Sequence, residues 1–193
     1  SGYAGETRAK IQTLSEISLQ ETPRFTSGFK ELDRVLGGGI VPGSAILIGG
    51  HPGAGKSTLL LQVMCGLAKN MTALYVTGEE SLQQVAMRAN RLNLPTDKLN
   101  MLSETSVEQI CNLADQLKPH IIVADSIQVM HLSDIQSSPG SVAQVRECAS
   151  FLTRYAKTRQ VAIIMVGHVT KYGTLPGPKV LEHAIDCSLL LEG

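Results

Sequence analysis

The sequence predicts an α/β fold in which helices cover both faces of a mostly parallel central sheet. Apolar segments with strand character alternate with amphipathic helical segments along most of the chain, an order typical of such sheets. Residues 121–124 and 161–166 are apolar at every position, which predicts central strands covered by helices on both sides. A glycine-rich loop between the first strand and the following helix is the third observation that indicates this fold class.

The first strands and helices follow one another without interruption. Apolar residues 45–49 predict a strand, and residues 56–68 predict a buried helix. Residues 73–77 predict the next strand, and residues 82–92 predict a second helix. The apolar face of that helix is formed by Leu82, Val85, Ala86 and Ala89.

Capping patterns predict where two helices begin. Ser81 with Gln84, and Thr105 with Glu108, have the spacing of capping boxes. The helix after Thr105 has an apolar face at Val107, Ile110, Cys111, Ala114 and Leu117. A long helix between the two apolar strands is predicted by Val142, Val145, Ala149, Leu152 and Ala156. Residues 185–191 predict a last strand.

Composition argues against several classes of protein. The 193 residues include 17 basic and 17 acidic side chains, so charge alone indicates neither a nucleic acid nor a membrane partner. No run of about 18 apolar residues occurs that could span a bilayer. The cysteines, which form no C-x-x-C pair, are Cys65, Cys111, Cys148 and Cys187. We expect buried thiols in a cytoplasmic protein, with neither a zinc site nor disulfides.

The beginning of the chain differs in character from the rest. Residues 1–24 are small, polar or charged, with only a weak apolar rhythm, and we interpret them as a tag remnant, a linker or an N-terminal arm. Residues 25–193 are expected to form one domain, which is long enough to bury a core.

A phosphate-binding motif of the form G-x-x-x-x-G-K-[ST] follows the first strand. It reads Gly50-His51-Pro52-Gly53-Ala54-Gly55-Lys56-Ser57, and Thr58 continues it into the helix. The glycines allow successive backbone N–H groups to surround nucleotide phosphates at the helix N-terminus. Lys56 is predicted to bind the phosphates and to assist catalysis, and the Ser57 hydroxyl is predicted to hold Mg²⁺. The motif predicts binding of a nucleoside triphosphate.

Acidic residues follow two of the predicted strands. Asp125 comes directly after 121–124, the position expected for the carboxylate that holds Mg²⁺ through water; the alternative is a turn-forming or capping aspartate. Glu79 and Glu80 follow 73–77, and we predict Glu79 as the general base, with Glu80 as the second choice. A purely structural role for both, as acids favoured by a helix dipole, is the alternative.

Histidines give weaker signals. His168 follows the strand 161–166 and is a candidate sensor of the γ-phosphate, although a loop or core histidine is about equally compatible with its position. His51 is interpreted as a loop residue of the phosphate-binding motif rather than a catalyst. We assign no function to His120, His131 and His183.

Several motifs together resemble the RecA-type ATPase family, and within it the bacterial RadA (Sms) family. They are residues 27–39 with Gly43, the phosphate-binding motif, Gly78-Glu79-Glu80-Ser81, residues 136–141 and residues 166–171. The similarity covers about residues 10–193 and implies a RecA-like P-loop NTPase fold. It also implies an ATPase that uses ATP, ADP and Mg²⁺ and acts as a helicase-like motor in DNA repair and homologous recombination.

The resemblance implies partners and further site residues. Members are expected to form hexameric rings on single-stranded DNA, to extend recombination intermediates by branch migration and to act with the recombinase RecA. Residues 133–141 and 171–180 correspond to DNA-contacting loops, which makes Arg146, Lys171 and Lys179 candidate phosphate contacts; solvated surface charges are the alternative.

The resemblance also implies segments that this sequence does not contain. The family has an upstream four-cysteine zinc finger, a Lys-Asn-Arg-Phe-Gly motif just after this region and a Lon-protease-like domain beyond it. We therefore expect an ATPase core without zinc that binds nucleotide but hydrolyses it slowly and assembles poorly. Tyr172 stands where the family usually has an acidic residue, so the behaviour of the second DNA-contacting loop, 171–180, is expected to differ in detail from that of the family.

Two other functions remain open from the sequence. One is a signalling ATPase or autokinase of the circadian-clock KaiC type, which shares the fold and the paired glutamates. The other is an ATP-gated module that loads recombinase onto DNA with little turnover.

Overall fold

The structure is a computed structural model that describes residues 9–17, 23–50 and 55–168, together with the backbone of 187–191. Near the start of the folded region, Phe25 and Ile40 pair through two backbone N–H···O hydrogen bonds of 2.9 and 2.8 Å. Upstream of these, the described residues 9–17 are exposed and contain one short 3₁₀ turn, Leu14–Glu16.

The described residues form one six-stranded sheet in which every pairing is parallel. The strands are β1 (Ala45–Gly50), β2 (Ala73–Thr77), β3 (Asn100–Ser103), β4 (Ile121–Asp125), β5 (Ala162–His168) and β6 (Cys187–Leu191). Their order across the sheet is β3-β2-β4-β5-β1-β6. The two segments that are apolar at every position are the neighbouring central strands β4 and β5. The predicted parallel sheet is therefore confirmed.

Helices lie on both faces of this sheet. They are α1 (Lys30–Val35), α2 (Lys56–Leu67), α3 (Leu82–Arg91), α4 (Val107–Leu117) and α5 (Val142–Arg159), with a 3₁₀ turn at Ile127–Val129. Buried residues of α2 and α3 pack with Ile46 and Ile48 on one face. Those of α4 and α5 pack with Leu47 on the other, as the twofold alternation of a strand requires.

One strand and one α-helix were not predicted from the sequence. The strand β3 has only four residues, none of them fully buried, at the edge of the sheet, so its residues show no continuous apolar run. Helix α1 has six residues and buries only Leu32, which leaves no periodic apolar face to detect.

The predicted capping boxes had different outcomes. The box at Ser81 is confirmed, because Ser81 Oγ accepts from the Gln84 N–H at 3.1 Å and Gln84 Oε1 accepts from the Ser81 N–H at 2.8 Å. The box at Thr105 is wrong, since Ser106 caps α4 by accepting from the Gln109 N–H at 3.3 Å. The Thr105 N–H donates to Glu104 Oε2 instead, while Glu108 accepts two hydrogen bonds from Ser133 and one from Ser106 Oγ.

Some positions of the predicted apolar faces are exposed. Leu82 and Val142 lie at the first turns of their helices and are 43% and 49% exposed, so only the inner parts of these faces reach the core. The thiols of Cys65, Cys111 and Cys148 are free and buried, and the Cys187 side chain lies outside the described residues. Within the described ranges, no helix is both long enough and apolar enough to cross a membrane.

Candidate active site

The candidate site lies at the carboxyl edge of the sheet, where parallel strands present the residues that follow them. Thr77 is in register with Asp125, and Gly50 is in register with His168, so four strands end together there. An open cleft of about 320 Å³ occupies this edge. Its lining residues are Gly55, Lys56, Ser57, Thr58, Thr77, Glu79, Glu80, Arg88, Asp125 and His168.

The described residues of the phosphate-binding motif lie at the end of β1 and at the start of α2. Gly50 ends β1, and Gly55 caps α2 in the left-handed region, with φ of 81°, which favours glycine. Residues 51–54, which include the predicted His51, Pro52, Gly53 and Ala54, lie outside the described residues. The N-terminus of a 12-residue helix therefore lies at the cleft, and the positive end of the helix dipole is directed toward it.

Lys56 is the first residue of α2 and is only 2% exposed. Burial lowers the pKa of its ammonium group, while the nearby charges of Asp125 and Glu79 act in the opposite direction. A buried cation beside two acids and a helix N-terminus suits an anion with several negative charges, such as a polyphosphate.

Asp125 ends β4 and is 7% exposed. Its Oδ2 atom accepts hydrogen bonds from Ser57 Oγ and from Tyr75 Oη, both at 2.7 Å. A hydroxyl and a carboxylate this close form the small set of oxygen ligands that Mg²⁺ usually takes from a protein. Ser57 and Asp125 therefore fit the predicted Mg²⁺ site.

The two adjacent glutamates have separate environments. Glu79 Oε1 accepts a hydrogen bond from Ser126 Oγ at 2.7 Å, and its side chain remains 46% exposed toward the cleft. Glu80 Oε2 accepts from Arg88 Nη1 at 2.6 Å, in a charge-assisted contact. This difference identifies Glu79 as the carboxylate more available to a small molecule in the cleft.

His168 stands at the end of β5, beside Glu79. Its Nε2 atom lies 3.4 Å from Glu79 Oε1, which is an ion-pair distance if the imidazole is protonated but lacks hydrogen-bond geometry. Both imidazole nitrogens are buried and have no hydrogen-bond partner within the described part of the chain. The side chain lines the cleft, so a bound ligand can supply that partner.

Known proteins resemble this chain in sequence and in fold. The sequence profile of the family described as AAA domain matches residues 10–174. The chain belongs to the AAA domain family. Over its full length the chain is 93% identical to the DNA repair protein RadA of Haemophilus influenzae and 74% identical to that of Escherichia coli. It is 48% identical to the RadA of Bacillus subtilis over 99% of its length. The predicted resemblance to RadA is confirmed.

The chain spans 42% of the length of each of these curated relatives. Among solved structures, it is similar to the KaiC-like protein PH0186 from Pyrococcus horikoshii, with a TM-score of 0.71 over 88% of this chain and 81% of that one. At 18% sequence identity this likeness shows the fold alone. It confirms the predicted α/β P-loop NTPase fold.

Five residues of this AAA domain that contribute to the site were not predicted from the sequence: Tyr75, Thr77, Arg88, Ser126 and Gln128. A tyrosine in an otherwise apolar strand is a signal that could have been used, because a buried hydroxyl needs a partner. Arg88 lies on α3 at one helical turn from Val85 and could not be distinguished from a surface arginine. Its Nε and Nη2 atoms are buried and, within the described residues, have no hydrogen-bond partner.

Gln128 connects the site to β5. Its side-chain Nε2 donates to the His168 carbonyl at 3.0 Å, and its Oε1 accepts from the His168 N–H at 3.3 Å. The side-chain amide of Gln128 thus bonds the main chain of His168 as a neighbouring strand would. Gln128 lies just after β4, so these bonds fix the end of β5 next to the end of β4.

The candidate DNA contacts are only partly described. Arg146 lies near the start of α5, and its side chain is 45% exposed and 3.4 Å from Glu147. Lys171, Lys179 and Tyr172, together with His183, lie outside the described residues. The loop at 133–141 is described, and the buried Gln144 binds the backbone of Ile135 and Ser137 within it and of Leu132 just before it.

Proposed function

We propose that this domain binds ATP with Mg²⁺ and hydrolyses it as the ATPase core of a DNA-dependent motor in DNA repair and homologous recombination. One observation carries the catalytic part of the proposal. Lys56, Ser57, Asp125 and Glu79, which come from three separate parts of the chain, line a single cleft at the carboxyl edge of the sheet. These are the residue types needed to hold phosphates, a metal ion and an attacking water.

The N-terminus of α2 and Lys56 bind the phosphates. Because Lys56 is buried, its charge acts in a poorly screened environment and attracts the phosphate oxygens strongly. Ser57 and Asp125 would hold Mg²⁺, the serine directly and the aspartate through water. When bound, the metal ion neutralises negative charge on the phosphate oxygens.

Glu79 acts as the general base. Its partly exposed carboxylate accepts the proton of a water molecule that attacks the γ-phosphate, while Ser126 fixes its orientation by the 2.7 Å hydrogen bond. Glu80 is neutralised by Arg88 and has a structural role. His168 contacts the γ-phosphate as a sensor, since its imidazole lines the cleft beside Glu79.

The biological role is inferred from the relatives, whose printed name is DNA repair protein RadA. We propose that residues 25–193 form the ATPase domain and that residues 1–24 form an arm or linker. The complete protein would be cytoplasmic and would act as a helicase-like hexameric ring on single-stranded DNA, extending recombination intermediates together with recombinase RecA. Arg146, Lys171 and Lys179 would contact DNA phosphates, so binding would weaken with salt.

The experiment that tests this function is ATP hydrolysis with and without single-stranded DNA. The chain is compared with a longer chain that extends through the Lys-Asn-Arg-Phe-Gly motif, because a cationic residue from a neighbouring subunit can raise turnover about 10³–10⁵-fold. We expect slow hydrolysis by the shorter chain and DNA-stimulated hydrolysis by the longer one.

Other results would change the proposal in different ways. Lack of any DNA response in the longer chain would contradict the motor function while leaving nucleotide binding intact. ATP-dependent DNA binding without turnover would favour a recombinase-loading module. Transfer of phosphate to the protein itself would favour a KaiC-type autokinase.

A further inference from the structure

Tyr75 is a fully buried tyrosine directly behind the candidate Mg²⁺ site. It is 0% exposed, and its hydroxyl donates to Asp125 Oδ2 at 2.7 Å. It is not one of the residues that line the cleft. Its hydroxyl therefore acts on a ligand through neighbouring side chains, and its hydrogen bond is to Asp125.

The sheet register explains how Tyr75 reaches this carboxylate. Tyr75 of β2 is opposite Val123 of β4, and Asp125 lies two residues further along β4. Residues two apart on a strand share a face, so Tyr75 and Asp125 are diagonal neighbours on one side of the sheet. The long phenol ring spans this diagonal, and the core between the sheet, α2 and α3 packs around it.

The hydrogen bonds to Asp125 differ in what happens when a metal ion binds. Ser57 Oγ and Tyr75 Oη both donate to Oδ2. If Ser57 becomes a ligand of Mg²⁺, its oxygen binds the ion through a lone pair, so the position of its hydroxyl depends on the ion. Tyr75 lies outside the cleft, so its bond to Oδ2 does not depend on the ion and holds the carboxylate with or without it.

We propose that Tyr75 is a positioning residue that fixes the Asp125 carboxylate for the Mg²⁺–nucleotide complex. The inference rests on the proposed function, because it concerns the same cleft. It adds a partner of the carboxylate that lies behind the metal ligands and acts on metal-dependent affinity. Partners of this kind typically change metal affinity or activity about 10–100-fold when they are removed.

The test uses Tyr75→Phe, which removes the hydroxyl and keeps the ring. The dissociation constant of ADP is measured by titration calorimetry with Mg²⁺ and with EDTA, and the ratio of the two is the Mg²⁺ enhancement. We expect this enhancement to fall about 10-fold, while the affinity in EDTA stays close to that of the wild type. A loss of packing alone would change both affinities together.

Tyr155→Phe is the matched control. Tyr155 is also buried, and its hydroxyl donates to a carboxylate, Asp115 Oδ1, at 2.6 Å. That pair lies near the C-terminal ends of α4 and α5, at the opposite edge of the sheet from the cleft. We expect this variant to be less stable than the wild type but to retain the full Mg²⁺ enhancement.

The results distinguish a failure of the role of Tyr75 from a failure of the proposed function. If the wild type itself shows no Mg²⁺-dependent ADP binding, the proposed function fails. If the wild type shows it and Tyr75→Phe retains it, the role of Tyr75 is wrong and the proposed function stands. Combining Tyr75→Phe with Asp125→Asn gives a further check, since the effect of the tyrosine should vanish without the carboxylate.

A measurement on the wild type keeps the inference testable should Tyr75→Phe not fold. A buried, hydrogen-bonded tyrosine hydroxyl exchanges slowly and gives a proton resonance that NMR detects. We expect the Tyr75 hydroxyl resonance to persist when Mg²⁺ and ADP are added, with the Tyr155 resonance assigned through Tyr155→Phe. Disappearance of the Tyr75 signal in the Mg²⁺–ADP complex would contradict the inference.

Discussion

Ser126 Oγ donates a hydrogen bond to Glu79 Oε1 at 2.7 Å, across 47 positions of sequence. Ser126 follows β4 directly, and Glu79 is the second residue after β2, so the contact joins the ends of two neighbouring strands. It fixes the orientation of one glutamate while its neighbour, Glu80, is held by Arg88. The pair of acids is thereby divided into a carboxylate open to the cleft and a carboxylate bound in an ion pair.

We predict that Glu79→Gln lowers ATP turnover about 10²–10⁴-fold, because the amide cannot accept a proton from water. Nucleotide affinity should change little, since Lys56, Ser57 and Asp125 are untouched. Single-turnover hydrolysis and calorimetric titration measure the two quantities. Turnover within threefold of the wild type would remove Glu79 as the base.

We predict that Glu80→Gln has the opposite pattern, with a small change in turnover and a loss of stability. Arg88 would lose its charged partner while its side chain remains mostly buried, which we expect to cost about 1–2 kcal/mol for this partly exposed pair. Thermal or urea unfolding measures the change. A collapse of turnover at unchanged stability would transfer the role of base to Glu80.

Lys56→Ala should abolish nucleotide binding, because the phosphates lose the buried charge at the N-terminus of α2. Lys69→Ala is the control, since Lys69 is an exposed residue just beyond the same helix. Fluorescence titration with a labelled ADP compares the variants. If Lys56→Ala still binds nucleotide and supports turnover, the assignment of the site is wrong.

Gly78→Ala should destabilise the fold by about 1–3 kcal/mol, since a Cβ there would meet the Val129 Cγ2 methyl at 2.6 Å. The clash would also displace Glu79, so turnover should fall. Gly66→Ala is the matched control: it lies within α2, a Cβ there meets nothing within 4 Å, and we expect a gain of about 0.5–1 kcal/mol. Equal stability of both variants in urea unfolding would contradict the packing at Gly78.

The stability of Asp115→Asn should depend on pH. The hydrogen bond from Arg159 is the largest cause that lowers the pKa of Asp115 from its ordinary value of 3.8. A lowered pKa in the folded state means that the carboxylate stabilises the fold above about pH 4, and that this contribution is lost as the pH falls through the folded pKa.

We therefore expect Asp115→Asn to lower the Tm at pH 7 by about 1–3 °C and to approach the wild type below pH 4. Glu31→Gln, which breaks a pair whose side chains are 72% and 84% exposed, is the control and should change the Tm little at any pH. Calorimetric melting between pH 3 and pH 7 checks both variants. A difference between Asp115→Asn and the wild type that does not change with pH would contradict the ionic origin of this contribution.

Much of the fold and part of the site could be predicted from the sequence. The apolar runs of β4 and β5 indicate strands buried on both faces, because water must be excluded along the whole segment. The loop motif indicates Lys56 and Ser57, because backbone N–H groups, a lysine and a hydroxyl at that spacing match a phosphate and its metal ion. Asp125 could be located because a strand end in a parallel sheet leads to the edge where ligands bind.

Other features were decided only by the tertiary structure. The short edge strand β3 forms because β2 offers it a partner. Ser106 rather than Thr105 caps α4, and the Thr105 N–H donates to Glu104 instead of Glu108. The sequence alone does not distinguish the roles of Glu79 and Glu80, which are adjacent and of the same type. Their hydrogen-bond partners distinguish them, since Ser126 binds Glu79 and Arg88 binds Glu80. Tyr75 reaches Asp125 through the register of two strands 50 residues apart in sequence. Local patterns determine which backbone conformations and motifs are available, whereas hydrogen bonds between distant residues depend on positions that exist only after the strands have paired.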